Sequence, residues 1–147
     1  MNIISGSIGL VFIIPFLLYY ITGNTIHLRA FLGVAGTTIL SETIKYFLIG
    51  DLSPRPKGAQ DCDLLCSNGN QSGKPGMPSS HSAEVAFFSV FYYQQTTNPI
   101  IRIVLIIYAG FVMISRYIKK CHTINQIAVG TMLGVVISWI LVRHYSA

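Results

Sequence analysis

Two histidines, two serines and an arginine in this chain have the types and spacing needed to hold and transfer a phosphate group. Gly76-Met77-Pro78-Ser79-Ser80-His81-Ser82 forms one cluster, and Ser115-Arg116 with His122 forms a second further along the chain. Ser79 and Ser80 follow a proline and precede an apolar run, the place where a helix N-cap is expected. The unpaired N–H groups and positive dipole end at such a start can hold a phosphate oxygen. His81 then falls in the first turn, within reach of the same anion. Arg116 offers a planar fork that binds phosphate through two hydrogen bonds. His122 and Gln126 are four apart and share a helix face. The Gln126 carbonyl can accept from His122 Nδ1–H, leaving the Nε2 lone pair free for attack.

The elements that must position these groups are those of a membrane protein. The 147 residues are 52% hydrophobic and 10% charged, against about 25% charged in a soluble domain. With a mean hydropathy of +0.57, the chain is too apolar to meet water on every side. The expected organisation is a single membrane-embedded domain over residues 1–147. The net charge of +5 is spread through loops and helix ends. It forms no basic stripe, so no nucleic-acid partner is expected; anionic headgroups or a phosphate ligand suit it better.

Apolar runs cover about 2–22, 28–49, 82–95, 100–117 and 124–142, and about 20 apolar residues suffice to cross a bilayer. The expectation is therefore an all-α integral membrane bundle of about five transmembrane helices. The first run lacks a basic leader, which favours a retained helix over a cleaved signal peptide. Gly130 and Gly134 in the last run, and Gly33 and Gly36 in the second, allow close helix contact. The connection 51–78 is rich in Pro, Gly, Asn and Ser and reads as loop. Its ends are expected to rim the site and its middle to be mobile. Cys62 and Cys66 lie in that loop, either as a disulfide in an oxidising compartment or as two thiols; Cys121 is expected to be inert.

With five alternating spans, Lys45, Arg55, His81, Arg116 and His122 all reach one membrane face. Ionisable groups at membrane depth are costly, so their convergence points to one site. His27, Arg29, Arg102, Arg143 and His144 fall on the opposite face and read as interfacial anchors.

At these residues the chain resembles the type 2 phosphatidic acid phosphatase superfamily of integral membrane lipid phosphatases. The superfamily's motifs are Lys-x6-Arg-Pro, Pro-Ser-Gly-His and Ser-Arg-x5-His-x3-Asp. Here they read Lys45-x9-Arg55-Pro56, Pro78-Ser79-Ser80-His81 and Ser115-Arg116-x5-His122-x3-Gln126. Ser80 in place of glycine and Gln126 in place of aspartate resemble the dolichyl diphosphatase branch. The longer spacing after Lys45 leaves Lys57 as the other candidate for the first motif's cation.

The resemblance implies a phosphatidic acid phosphatase/haloperoxidase-like helical fold and hydrolysis of a polyprenyl diphosphate to the monophosphate plus phosphate. It implies His122 as the nucleophile that becomes a phosphohistidine, His81 as acid and then base, and Gln126 as the group orienting His122. Lys45, Arg55, Ser79, Ser80 and Arg116 would bind the phosphate, with neither metal nor cofactor. A lipid monophosphatase, an undecaprenyl diphosphatase and a phosphate-lipid binder without turnover are the alternatives. The expected partners are the lipid diphosphate and membrane lipids; the sequence leaves the oligomeric state open.

Of the ten Lys and Arg, the four outside the proposed ligands on the active face barely outnumber the three on the other, so charge bias does not orient the chain. The sequon Asn70-Gln71-Ser72 and the loop cysteines suit a lumen. The resemblance implies a lumen-facing site in the endoplasmic reticulum membrane, with a bacterial-type plasma membrane as the alternative.

Overall fold

The computed structural model describes residues 2–63 and 65–146. A short helix α1 (Asn2–Gly6) passes through a 3-10 turn (Ser7–Gly9) into α2 (Leu10–Thr22). Then come α3 (Thr25–Thr43), a π-helical stretch Ile44–Ile49, a 3-10 turn Gly50–Leu52, α4 (Ser80–Gln95), α5 (Pro99–Ile118) and α6 (Ile124–Ser146). Local chemistry sets several of these boundaries. Gly23 ends α2 in the left-handed region at φ 68°, which glycine adopts without a Cβ penalty. Asn24 Oδ1 caps α3 by accepting from Ile26 N at 3.0 Å. Asn98 caps α5 by accepting from Ile100 N at 2.9 Å, with Pro99 in the first turn, where a missing N–H costs nothing.

Helices stand at all five places where the sequence is apolar. Among the described residues, three are long and apolar enough to cross a membrane: Ile3–Thr22, Pro99–Ile118 and Ile124–His144. Their outward residues, such as Phe16, Ile106 and Ile140, are more than half exposed, as suits a lipid-facing surface. The other two helices differ in character. α4 has 16 residues, roughly 24 Å of helix against a hydrocarbon core of about 30 Å. It is also the innermost element, buried continuously from Ser80 to Ser89. α3 turns Thr37 and Ser41 inward and carries Glu42 near its end.

α4 packs against α3, α5 and α6, with its longest contact along α6. Gly130 and Gly134 explain that contact. A Cβ on Gly130 would lie 2.4 Å from the Ser79 carbonyl oxygen, and one on Gly134 would lie 2.1 Å from that of Ala83. Only glycine lets α6 approach the backbone of α4 this closely. In the second run Gly33 faces the Phe87 ring, whereas Gly36 faces open space; only Gly33 serves packing.

The loop before α4 departs from the expected mobile middle: it is a hydrogen-bonded hairpin. Pro54 bridges Pro75, and Gln60 bridges Asn70. Arg55 N donates to Lys74 O at 2.8 Å, and Gln71 N donates to Ala59 O at 2.8 Å. Cys62 is disulfide-bonded to Cys121, and the pair packs with Ala59 in a small apolar cluster. Neither expected state of the loop cysteines is found. Cys62 pairs across the fold, Cys66 stays outside the bridge with its sulfur 3.3 Å from Lys119 Nζ, and Cys121 is structural. Neighbours in the loop lost to a partner brought close by the hairpin folding onto the α5–α6 turn.

Candidate active site

At one end of the bundle the hairpin, the end of α3 and the starts of α4 and α6 enclose a cavity of about 260 Å³. Lys45, Arg55, Ser80, His81 and His122 all line it, although they come from four separate stretches of chain. Lys45 is 2% exposed, and its Nζ donates to Ser80 Oγ at 2.6 Å. The π-helical stretch and the 3-10 turn that follows absorb the long Lys45–Arg55 spacing and keep both cations on one cavity. Lys57 is exposed and lines a separate groove beside His122, so Lys45 is the lysine at this cavity. Arg55 Nε donates to Pro75 O at 3.3 Å. Arg55 Nη1 and His81 Nε2 are buried without a hydrogen-bond partner among the described residues. Buried polar nitrogens rarely stay unpaired, and two of them at one cavity mark a place for oxygen acceptors.

His122 is 2% exposed, and its Nδ1 is 2.9 Å from Gly76 O. A carbonyl only accepts, so Nδ1 carries the proton and Nε2 keeps its lone pair. The expected partner, Gln126 Oε1, is further away at 3.3 Å and also accepts from Thr123 N at 3.1 Å. The Gln126 amide nitrogen reaches the other way, donating to Pro54 O at 2.9 Å and Ser53 O at 3.1 Å. Gln126 therefore ties the hairpin to α6, and the principal hold on His122 is the Gly76 carbonyl. Burial, and then the charges of Arg55, Arg116 and Lys45, hold the His122 imidazole well below the usual histidine range. It is neutral at pH 7.

Three expected site residues stand behind the wall. Arg116 is fully buried; its guanidinium donates to Ser5 Oγ and to the Cys62 carbonyl. Ser79 is the N-cap residue of α4 by backbone angle, but its hydroxyl makes no cap bond and instead accepts from Ser82 Oγ at 3.0 Å. Ser79 N donates to Gln126 O at 3.0 Å, which ties the starts of α4 and α6 together. Gln126 supports His122 and the hairpin as described. At the opposite end, Arg143 stacks 3.7 Å over Trp139, and Arg102 Nε donates to Thr96 O at 2.9 Å.

The sequence model of the PAP2 superfamily matches residues 26–147. The chain belongs to the PAP2 superfamily. This is a superfamily of phosphatases and related hydrolases, and with three apolar helices long enough to span, the chain is a membrane protein. Neither a curated protein nor a solved structure matches it.

The PAP2 match begins after α2, yet α1 and α2 take part in the site: Ser5 holds Arg116, and Phe12 lines the cavity. Sequence reasoning also missed three carboxylates on the cavity wall, Glu42, Asp63 and Glu84. Glu42 had a readable signal, a lone acid three residues before Lys45 in an apolar run, at the helical spacing for an ion pair. Glu84 follows His81 at the same spacing and accepts from Thr38 Oγ1 at 2.8 Å. Ser5 and Gly76 carried no such signal, because their roles rest on contacts far apart in sequence.

Proposed function

We propose that this PAP2 protein hydrolyses a polyprenyl, dolichyl-type diphosphate to the monophosphate and inorganic phosphate. One observation carries the reading: a small cavity holds both histidines with Lys45 and Arg55, and two buried nitrogens there, Arg55 Nη1 and His81 Nε2, are unpaired among the described residues. Phosphoryl oxygens are the acceptors that would satisfy them. At about 260 Å³ the cavity is smaller than pockets that enclose a whole drug-sized ligand, roughly 300–1,000 Å³. It admits a headgroup and leaves the prenyl chain in the bilayer.

In this mechanism His122 Nε2 attacks the terminal phosphorus, forming a P–N bond as the anhydride P–O bond breaks. His81, protonated as the phosphate's negative charge enters the cavity, gives that proton to the departing phosphate oxygen, then takes one from the water that cleaves the phosphohistidine. Lys45, Arg55 and the Ser80 hydroxyl meet the charge that develops on the phosphoryl oxygens. Arg116 adds its charge from behind the wall, and Ser79 and Gln126 hold the two helix starts in register. The neutral Gln126 does little to stabilise an imidazolium. That suits a diphosphate ester, whose phosphate leaving group is expelled more easily than an alkoxide. Ser80, where the superfamily pattern has glycine, supplies the hydroxyl that meets Lys45.

The site is assigned to the lumenal side of the endoplasmic reticulum membrane. The Cys62–Cys121 bridge supports an oxidising compartment, and Asn70 of the sequon is exposed. The test is phosphate release from polyprenyl diphosphate by purified protein in detergent containing EDTA. Turnover is expected to persist in EDTA and to fall by on the order of 10³-fold or more in His122→Ala. Turnover retained in that variant, or restricted to monophosphate lipids, would refute the reading.

A further inference from the structure

Glu42 already occupies the positions where the substrate phosphate must bind. Its Oε1 lies 2.5 Å from Lys45 Nζ and accepts the Ser80 hydroxyl hydrogen bond. Lys45 and Ser80 are the same two groups proposed above to hold phosphoryl oxygens. One carboxylate oxygen thus sits between an ammonium and a hydroxyl, as a phosphoryl oxygen would. The two ends of the ion pair differ in freedom. The Lys45 side chain is 2% exposed, whereas that of Glu42 is 40% exposed, so the carboxylate has a route to water and the lysine has none.

We propose that Glu42 is an internal competitor for the phosphate subsite: it binds Lys45 and Ser80 between turnovers, yields them to the incoming lipid phosphate, and returns to expel inorganic phosphate. The inference rests on the phosphatase reading and adds a residue that none of the superfamily motifs contains. A buried lysine without a counter-ion is costly, so between turnovers Lys45 needs an anion from its own chain. An anion on the same chain also opposes tight retention of the product. A free phosphate dianion would otherwise be held by Lys45, Arg55 and the Ser80 hydroxyl. Glu84 lies on the same wall but bonds Thr38, so it does not compete for these two groups.

The test is product inhibition. Glu42→Gln keeps a carbonyl oxygen for Lys45 but removes the charge. Its inhibition constant for inorganic phosphate is expected to fall at least tenfold, KM for polyprenyl diphosphate to fall with it, and kcat to drop as release becomes limiting. Glu42→Asp, too short to reach both partners, is expected to lie between the parent and Glu42→Gln. Direct phosphate binding to His122→Ala, with and without Glu42→Gln, gives the same comparison without turnover. An unchanged or raised constant in Glu42→Gln, with the parent hydrolysing normally, overturns this proposal alone. A parent that neither hydrolyses the lipid nor binds phosphate overturns the phosphatase reading as well.

Discussion

Replacing Gly130 with alanine tests how closely activity depends on the contact between α4 and α6. The added Cβ would stand 2.4 Å from Ser79 O, 3.1 Å from Ser79 N and 3.2 Å from Ser79 C. All three are backbone atoms, so no side-chain rotation relieves the clash. Restoring ordinary van der Waals distance moves α6 away from α4 by about 1 Å. That displacement falls on the bond from Ser79 N to Gln126 O, beside the two helix starts that carry His81 and His122. Overpacking of this kind costs about 1–3 kcal/mol, and a 1 Å misplacement of reacting groups costs on the order of 10²-fold in rate. Thermal unfolding in detergent should show a lowered midpoint. Phosphate release should show kcat falling much more than KM rises, because the cations of the cavity lie mainly outside this contact. Gly36→Ala, facing open space, is the matched control and should leave kcat unchanged. A Gly130→Ala protein with kcat within twofold of the parent would refute the reasoning.

Two further outcomes follow from the hairpin and from His122. Cys121→Ser removes a bridge across a sequence separation of 59, for which the chain-entropy relation gives about 4 kcal/mol as an upper value. Helices that persist in the detergent-denatured state reduce it. Unfolding with and without reductant should show a lower midpoint on reduction in the parent and in Cys66→Ser but not in Cys121→Ser; a reductant effect in Cys121→Ser would count against the assigned pairing. Acid should also destabilise the fold through His122. Its folded imidazole titrates well below the unfolded one, so the unfolded chain takes up the proton first. The stabilisation is complete above about pH 6.5 and is lost as pH falls from there toward the folded value. Unfolding midpoints between pH 7.5 and pH 5 should decline more steeply in the parent than in His122→Asn, and parallel profiles would contradict the assignment.

Much of the fold was legible because it is written in short-range patterns. Asn24, Asn98 and Gly23 mark helix ends through bonds and backbone angles within a few residues of themselves. Apolar runs place all five long helices, since burial and lipid contact both select such residues. The polarity of α3 and the shortness of α4 were present in the sequence too. Their meaning, that α4 is the core of the bundle, needed the packing of α4 on α6 to appear. The candidate site was legible as a set of residue types, because phosphate chemistry demands fixed donors and bases.

Sequence by itself named Arg55, Ser80, His81 and His122, which the cavity brings together, and left Lys45 and Lys57 as alternatives. Tertiary structure alone decided which groups reach the wall and which stand behind it. Arg116 is drawn back by Ser5 and the Cys62 carbonyl, His122 is held by Gly76 O more closely than by Gln126, and Cys62 pairs with Cys121. Glu42 was visible as a neighbour of Lys45, but that it also takes the Ser80 hydroxyl was not. The physical reason is common to all four. Hydrogen bonds and disulfides act over a few ångströms, and those distances are set by how the hairpin and helix starts pack, not by separation along the chain.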